Sequence, residues 1–280
     1  MIRLALLGQP VAHSRSPAMM HAALAAMGLE GVYVPFDVAP EGLGDAVRGL
    51  AALRFDGANV TVPHKVAVME HLAATDDDAR LAGAVNTLVR AGDGFVGYNT
   101  DIEGLREALV HHGAAARGER AVVLGAGGAA RAAAVALVRD GAVRVDVVAR
   151  RFQAALALVE VVERAGGSGR AHRLGDASVA EALGAAGTVV QATSCGMAGG
   201  GDTGELLAGA PLQACAKGAV AVDLVYAPPV TPWMRAAEAA GLRVLEGAGA
   251  RMLAGQGAAA LARWTGREAP IAVMHAALWL

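Results

Sequence analysis

The chain has 280 residues, 55% of them hydrophobic and 18% charged, with a formal net charge of −2. That length is long for one compact core and suits two, and it buries enough surface to need no disulfide or metal staple. The composition excludes a disordered chain, and the charge gives no electrostatic case for nucleic acid or an anionic membrane. The two cysteines, Cys195 and Cys215, fall in no CxxC or Cys/His metal spacing. They point to no metal site and to a reducing, cytoplasmic compartment.

Met1–Ser14, with one early Arg, a very short apolar run and a Pro, reads as a first strand rather than a signal peptide. The strand is Arg3–Leu7, ending in the turn Gly8-Gln9-Pro10. Ser16-Pro17 then opens a helix to about Met27, with Ser16 at the N-cap. Val32–Val38 is strand-like, Glu41–Leu53 helical and Ala58–Val62 a strand. Pro63 starts a helix with Lys65 in its first turn, and Asp76–Leu81 is a short helix. Ala84–Arg90 and Phe95–Asn99 flank Ala91-Gly92-Asp93-Gly94, a hairpin signal. Asp101–His112 is helical. A second unit restarts with a strand at Arg120–Leu124, a glycine-rich turn and a helix to Asp140. Strands follow at Val143–Ala149, near Arg173, at Thr188–Ala192, at Ala219–Leu224 and at Leu242–Leu245. Helices lie between the first three of these and, at Pro232–Ala240, between the last two. Arg251–Trp264 and Ile271–Leu280 close the chain as helices. Strands alternating with helices predict α/β architecture with parallel sheets in both halves. The uncharged run Ala182–Gly201 holds six glycines and reads as strand plus loop, not as a membrane span.

The rare residues are informative. Lysine occurs twice, Lys65 and Lys217, against 22 arginines, and asparagine three times, at Asn59, Asn86 and Asn99. Residues with A/T-rich codons are depleted, as in a G/C-rich genome, where drift replaces lysine by arginine wherever positive charge suffices. A lysine that remains is a candidate for chemistry that needs an amine.

Gly125-Ala126-Gly127-Gly128-Ala129-Ala130 carries the G-x-G-x-x-A fingerprint between a strand and a helix. Glycines there let the backbone approach a pyrophosphate, whose charge meets free N–H groups at the helix start. After the next strand a carboxylate would accept from the ribose of NAD, and a cation would suit the phosphate of NADP. The chain offers Ala149-Arg150-Arg151, with Asp146 inside the strand, and so predicts NADP.

Several strings line up with this loop. They are Gly8-Gln-Pro-Val-Ala-His-Ser-Arg-Ser-Pro17, Gly57-Ala-Asn-Val-Thr-Val-Pro-His-Lys65, Gly83-Ala-Val-Asn-Thr87 and Gly97-Tyr-Asn-Thr-Asp101. Later come Ala192-Thr-Ser-Cys-Gly-Met197, Asp223-Leu-Val-Tyr226 and Met252-Leu-Ala-Gly-Gln256. Over nearly its whole length the chain resembles the shikimate dehydrogenase family. The resemblance implies an N-terminal α/β substrate domain (1–104 with 250–280) and a doubly wound Rossmann domain for NADPH (105–249). It implies the reversible reduction of 3-dehydroshikimate to shikimate in aromatic amino-acid biosynthesis. Ala149 departs from the family's usual Asn at that strand end.

The residues carry physical roles beside the resemblance. Lys65 and Asp101 form the expected acid–base pair: ketone reduction puts negative charge on oxygen, an ammonium can supply the proton, and a carboxylate can orient it. Ser14 and Ser16 flank a helix start that can hold a carboxylate. Asn59, Thr61 and Asn86 offer neutral donors and acceptors suited to a polyol. Tyr226 and Gln256 join the substrate set by resemblance. On the cofactor side stand Gly125, Ala126, Gly127, Gly128, Ala129, Ala149, Arg150 and Arg151. Thr193 and Met197 lie on a loop after a strand, where they would flank the nicotinamide. The resemblance adds Leu224, Gly249 and Asp77. His13, His21 and His64 share no metal spacing and read as structural or surface. Rivals are a quinate/shikimate dehydrogenase using NAD or both cofactors, an aminoshikimate enzyme, and a cofactor-sensing homologue. A sensor has no reason to keep both Lys65 and Asp101. Monomer and homodimer stay open.

Overall fold

The computed structural model describes residues 1–279. It divides into two compact units, Met1–Gly104 with the chain from Leu253 onward, and Leu105–Met252.

The first unit contains β1 (Ile2–Gly8), α1 (Ser16–Ala26), β2 (Gly31–Asp37), α2 (Leu43–Ala52), β3 (Gly57–Val60), β4 (Ala74–Thr75), α3 (Asp77–Ala82), β5 (Thr87–Ala91), β6 (Gly94–Tyr98) and the start of α4 (Asp101–His111). Its strand order is β2-β1-β3-β5-β6-β4. β1 runs parallel to β2 and β3, whereas β5 runs antiparallel to β3 and β6. The sheet is mixed, not parallel as the alternation of elements predicted. Only Gly92-Asp93 separates β5 from β6, with Gly92 at φ 58. A loop that short can join only antiparallel strands. The core packs Leu7, Leu50, Val60, Leu88 and Phe95 into one apolar cluster.

Two local expectations fail here for identifiable reasons. Ser16 is the first helical residue and not the N-cap; Arg15 occupies the cap position without a side-chain cap bond. The hydroxyl of Ser14 accepts from the Ser16 N–H at 3.2 Å instead. Pro63 does not start a helix. The Val62–Pro63 bond is cis, Lys65 sits in a turn, and a 3₁₀ segment begins only at Ala67 and runs to His71.

The second unit contains β7 (Arg120–Leu124), α5 (Gly128–Arg139), β8 (Arg144–Ala149), α6 (Phe152–Arg164), β9 (Ala171–Arg173), α7 (Ala177–Gly184), β10 (Thr188–Gln191), α8 (Thr203–Gly209), β11 (Val220–Asp223), α9 (Pro232–Ala239), β12 (Arg243–Val244) and the start of α10 (Ala248–Thr265). The sheet is parallel throughout, in the order β12-β11-β10-β7-β8-β9. This is the doubly wound order, whose direction reverses between β7 and β10. β10 and β11 are buried along their whole length, as strands covered on both faces must be. α5 buries Ala130, Ala132, Ala133, Ala134 and Ala136, whose short side chains suit a helix lying close on a sheet. α8 went unpredicted, although Asp202 stands three before Glu205 and its side chain caps the Gly204 N–H at 2.7 Å.

The chain re-enters the first unit within α10 and adds α11 (Ile271–Ala276) and a 3₁₀ turn, Ala277–Trp279. The expected last helix therefore ends at Ala276, and its predicted terminus, Leu280, lies outside the described residues. Trp264 Nε1 donates to the Leu88 carbonyl at 2.8 Å, which ties the end of α10 to β5. Among the described residues no helix is long and apolar enough to cross a membrane.

Candidate active site

In the first unit the polar residues picked out by rarity and motif converge. Lys65, in the turn after β3, donates from Nζ to Asp101 Oδ2 at 2.6 Å, with the side chains 15% and 5% exposed. Asp101 opens α4. Its second oxygen, Oδ1, accepts from Asn86 Nδ2 at 2.9 Å. The same Nδ2 lies 3.0 Å from Thr100 Oγ1 and 3.1 Å from Gln256 Oε1. Asn86 Oδ1 in turn accepts from the Thr100 N–H at 2.7 Å. Asn59 Nδ2, at the end of β3, donates to the Asn86 carbonyl and to Thr87 Oγ1, while its Oδ1 accepts from Tyr33 at 2.9 Å.

The burial decides what the Lys65–Asp101 pair is. Arg48–Asp45 and Arg80–Asp77 are pairs of the ordinary surface kind, with every partner at least 65% exposed. Such pairs contribute little. A pair withdrawn from water is tolerable only when its remaining lone pairs are bonded, as Asn86 does for Asp101. Asn86 thus fixes the carboxylate that holds the ammonium. Ser16 is buried and Ser14 half-buried at the start of α1, and Thr61 is half-buried just past β3. Asp77 stands apart from this group, exposed at the start of α3 and bonded to Arg80. His64 bonds the Val38 carbonyl from a fully buried position, and the His21 ring accepts from the Tyr33 N–H, both structural roles.

Thr87, Thr100 and Tyr33 belong to this network and were not singled out from the sequence. Thr87 and Thr100 stood inside the quoted motifs, next to Asn86 and Asp101. Tyr33 is one of only three tyrosines, so the rarity argument applied to it as well.

In the second unit the fingerprint loop leaves β7 at the reversal point. Gly125 has φ 117, and a Cβ on it would come within 3.1 Å of the Ala192 backbone at the end of β10. Only glycine accepts that conformation at that approach. A Cβ on Gly127 would meet nothing within 4 Å, and Gly127 caps α5 without a side chain. No side chain caps the first N–H groups of this twelve-residue helix, and such uncapped groups can bind a pyrophosphate. Beyond β8, Arg150 and Arg151 are exposed. Asp146 is turned inward, bonded to Arg144 Nε at 2.7 Å and to the Arg170 N–H at 2.9 Å, so it does not meet a ribose or repel a phosphate. Thr193 and Met197 lie on the loop after β10, Leu224 and Tyr226 on the loop after β11. A Cβ on Gly249 would lie 2.8–3.0 Å from the Asp223, Leu224 and Val225 carbonyls, so glycine lets α10 start against the end of β11. Among the described residues no group of three His, Cys, Asp or Glu side chains is placed to hold a metal.

A parallel sheet in this order, a glycine turn at its reversal and cations beyond its second strand define an oxidoreductase of the Rossmann dehydrogenase class. Residues 6–88 match the shikimate dehydrogenase substrate binding domain, and residues 249–278 match the shikimate 5'-dehydrogenase C-terminal domain. A shikimate dehydrogenase (NADP(+)) of Citrifermentans bemidjiense is 45% identical over 98% of this chain and 93% of its own. The crystal structure of Thermus thermophilus shikimate 5-dehydrogenase in complex with NADP(H) and shikimate is 38% identical. It superposes with a TM-score of 0.84 over 100% of this chain and 99% of that one. The quinate dehydrogenase of Corynebacterium glutamicum in complex with NAD is 31% identical, with a TM-score of 0.85 over 99% and 98% of the two chains. The chain belongs to the shikimate dehydrogenase family.

Proposed function

We propose that this protein is an NADP-dependent shikimate dehydrogenase that reduces 3-dehydroshikimate reversibly to shikimate. The observation that carries the reading is the buried Lys65–Asp101 pair, held by Asn86 within a cluster of neutral donors and acceptors. Bound NADPH supplies the hydride. Lys65 Nζ gives its proton to the oxygen that becomes a hydroxyl, and Asp101 orients the ammonium and holds its charge. Ser14 and Ser16 receive the substrate carboxylate at the start of α1. Asn59, Thr61, Asn86, Tyr226 and Gln256 bind the ring hydroxyls. Residues 1–104 with 250–280 then form the substrate-binding domain, and 105–249 the NADP-binding domain.

The cofactor set is Gly125 to Ala129 for the pyrophosphate and Ala149 to Arg151 for the adenosine end. Thr193, Met197, Leu224 and Gly249 serve the nicotinamide end, and Asp77 is the outlying member. The free thiols of Cys195 and Cys215 suit a reducing cytoplasm. A second reading, quinate oxidation with NAD, draws on Ala149 in place of the family's Asn and on Arg150 facing Glu205 at 3.7 Å. Absorbance at the reduced-nicotinamide band, with shikimate or quinate and NADP or NAD, decides between them. The NADP–shikimate pair should react fastest; a preference for quinate with NAD overturns the first reading, and no reaction with any pair overturns both.

A further inference from the structure

The second unit contains a buried carboxylate that the chemistry above does not use. Asp223 ends β11 and is 2% exposed. Its Oδ1 accepts from the Val225 N–H at 2.9 Å and from Gln191 Nε2 at 3.2 Å; its Oδ2 accepts from Thr231 Oγ1 at 2.6 Å. Gln191, at the end of the neighbouring strand β10, is fully buried. Its Nε2 also donates to the Cys195 carbonyl at 3.0 Å, and its Oε1 accepts from the Thr193 N–H at 2.5 Å and hydroxyl at 2.7 Å. Two side chains therefore tie down two loops, 192–197 and 224–231, at the carboxyl ends of adjacent strands.

We propose that Asp223, acting through Gln191, is a positioning residue that fixes the Thr193–Met197 loop for the nicotinamide end of the cofactor. This rests on the reading of that loop given above. The first support is geometric. Open α/β sheets take their ligands beyond the carboxyl ends of strands near the reversal, and β10 is one of the two strands at that reversal. Inside this six-residue loop the Met197 N–H bonds the Ser194 carbonyl and the Cys195 N–H bonds Thr193 Oγ1, which folds the loop on itself without tying it to β11. The Gln191 amide, fixed by Asp223, supplies the missing constraint with three bonds.

The second support is energetic. Burial pushes the Asp223 carboxyl up to about 6, against the lowering effect of its bonds to Thr231 and Val225. A value raised by folding means that the contribution to stability is full while the group is protonated. It is lost as the pH rises through about 6. At neutral pH the ionised group is thus held at a cost relative to its protonated form, and the three bonds it accepts are what keep it there, joined to Gln191, Val225 and Thr231. Asp146 is as buried in the same sheet, but it bonds Arg144 Nε and the Arg170 N–H and lies 3.9 Å from His172 Nε2, and it reaches neither loop.

The experiment measures NADPH dissociation constants from nucleotide fluorescence, KM for shikimate, and melting temperatures. Gln191→Met keeps the length of the side chain and removes its amide. It should weaken NADPH by about tenfold, the effect of one desolvated hydrogen-bonded contact, and leave KM for shikimate within about twofold. Asp223→Ala should do the same, and it should also lower the melting temperature, because Gln191, Val225 and Thr231 lose their acceptor. Asp223→Asn, which keeps an acceptor oxygen, should recover most of the affinity. Asp146→Asn should bind NADPH as the parent does. Parent-like NADPH affinity in Gln191→Met and Asp223→Ala, with a loss in Met197→Ala, overturns the role of Asp223 alone. Parent-like affinity in Met197→Ala overturns the loop reading and this proposal together. Equal losses in the Asp146 and Asp223 variants overturn the proposal as well, because any buried carboxylate of the sheet would then have the same effect.

Discussion

The first unit builds its site from side chains, the second from backbone. Lys65, Asn86 and Asp101 meet through bonds of 2.6 and 2.9 Å between atoms at the ends of their side chains. The fingerprint loop instead works by what is missing. Gly125 has no Cβ to strike Ala192, and Gly127 leaves the start of α5 open. The two designs fail differently under substitution. A side-chain site loses chemistry while the fold stands, because its members can be exchanged for neighbours in shape. A backbone site admits the wrong side chain only by moving the chain or filling the space.

The largest expected effect tests the first half of that contrast. Arginine at position 65 keeps the charge but is effectively always protonated. If Lys65 transfers a proton, Lys65→Arg should still bind shikimate and NADPH and lose about 10²–10⁴-fold in kcat. Asp101→Asn should also lower kcat, and the double variant should lose less than the product of the two losses, since the pair acts as a unit. Steady-state kinetics with separate ligand titrations check this. A Lys65→Arg enzyme within a few-fold of the parent would make Lys65 an electrostatic anchor.

The second half is tested by two adjacent substitutions. Gly125→Ala places a Cβ at φ 117 against backbone 3.1 Å away, and should cost about 1–3 kcal/mol of stability together with NADPH binding. Gly127→Ala has φ −83 and open space around it. It should melt with the parent and still bind NADPH poorly, because the methyl group occupies the place of the pyrophosphate. Denaturant unfolding and fluorescence titration separate the two. Full NADPH affinity in Gly127→Ala would remove the pyrophosphate from that position.

What the sequence revealed follows the same division. Spacing exposes a backbone site, because glycines at fixed intervals between a strand and a helix have few other uses. Rarity exposed the side-chain site, but it does not separate two reasons for keeping a lysine. Lys65 lies in the polar cluster, whereas Lys217 donates from Nζ to the Ala240 carbonyl at 2.7 Å and closes the end of α9. An amine that ends a helix and an amine that gives a proton look alike in one dimension. All three asparagines proved to be buried. Asp223 heads a quoted string and Gln191 stands just before another, but their pairing depends on β10 and β11 being neighbours, with the two residues 32 apart in the chain. The parallel sheet expected for the first unit failed where a local signal, the Gly92-Asp93 turn, contradicted the global pattern and won.

A smaller effect concerns the cofactor's far end. Arg150 and Arg151 are side-chain elements attached to a backbone site, so they should alter selectivity and not folding. Replacing both by Ala should weaken NADP by about tenfold or more, the value of a desolvated charged contact, and leave NAD nearly unchanged. Kd values for both nucleotides check it, and equal losses would show that these arginines do not read the phosphate.

The smallest expected effect separates two serines, of which the sequence made Ser16 the cap and the structure gives that place in the bonding to Ser14. Ser14 Oγ accepts from the Ser16 N–H, so it fills a free donor at the start of α1 in the way an N-cap does. Ser16 lies inside the helix and caps nothing. Ser14→Ala should therefore cost about 0.5–1 kcal/mol of stability, toward the lower end because the residue is only half-buried. Ser16→Ala should leave the melting temperature unchanged. Both should raise KM for shikimate if the helix start receives the carboxylate, since each removes a hydroxyl beside it. Thermal unfolding of the two variants, with KM measured on each, reads stability and binding independently. A melting temperature lowered by Ser16→Ala and not by Ser14→Ala would return the cap to Ser16. An unchanged KM in both would leave α1 with a capped helix start and no substrate on it.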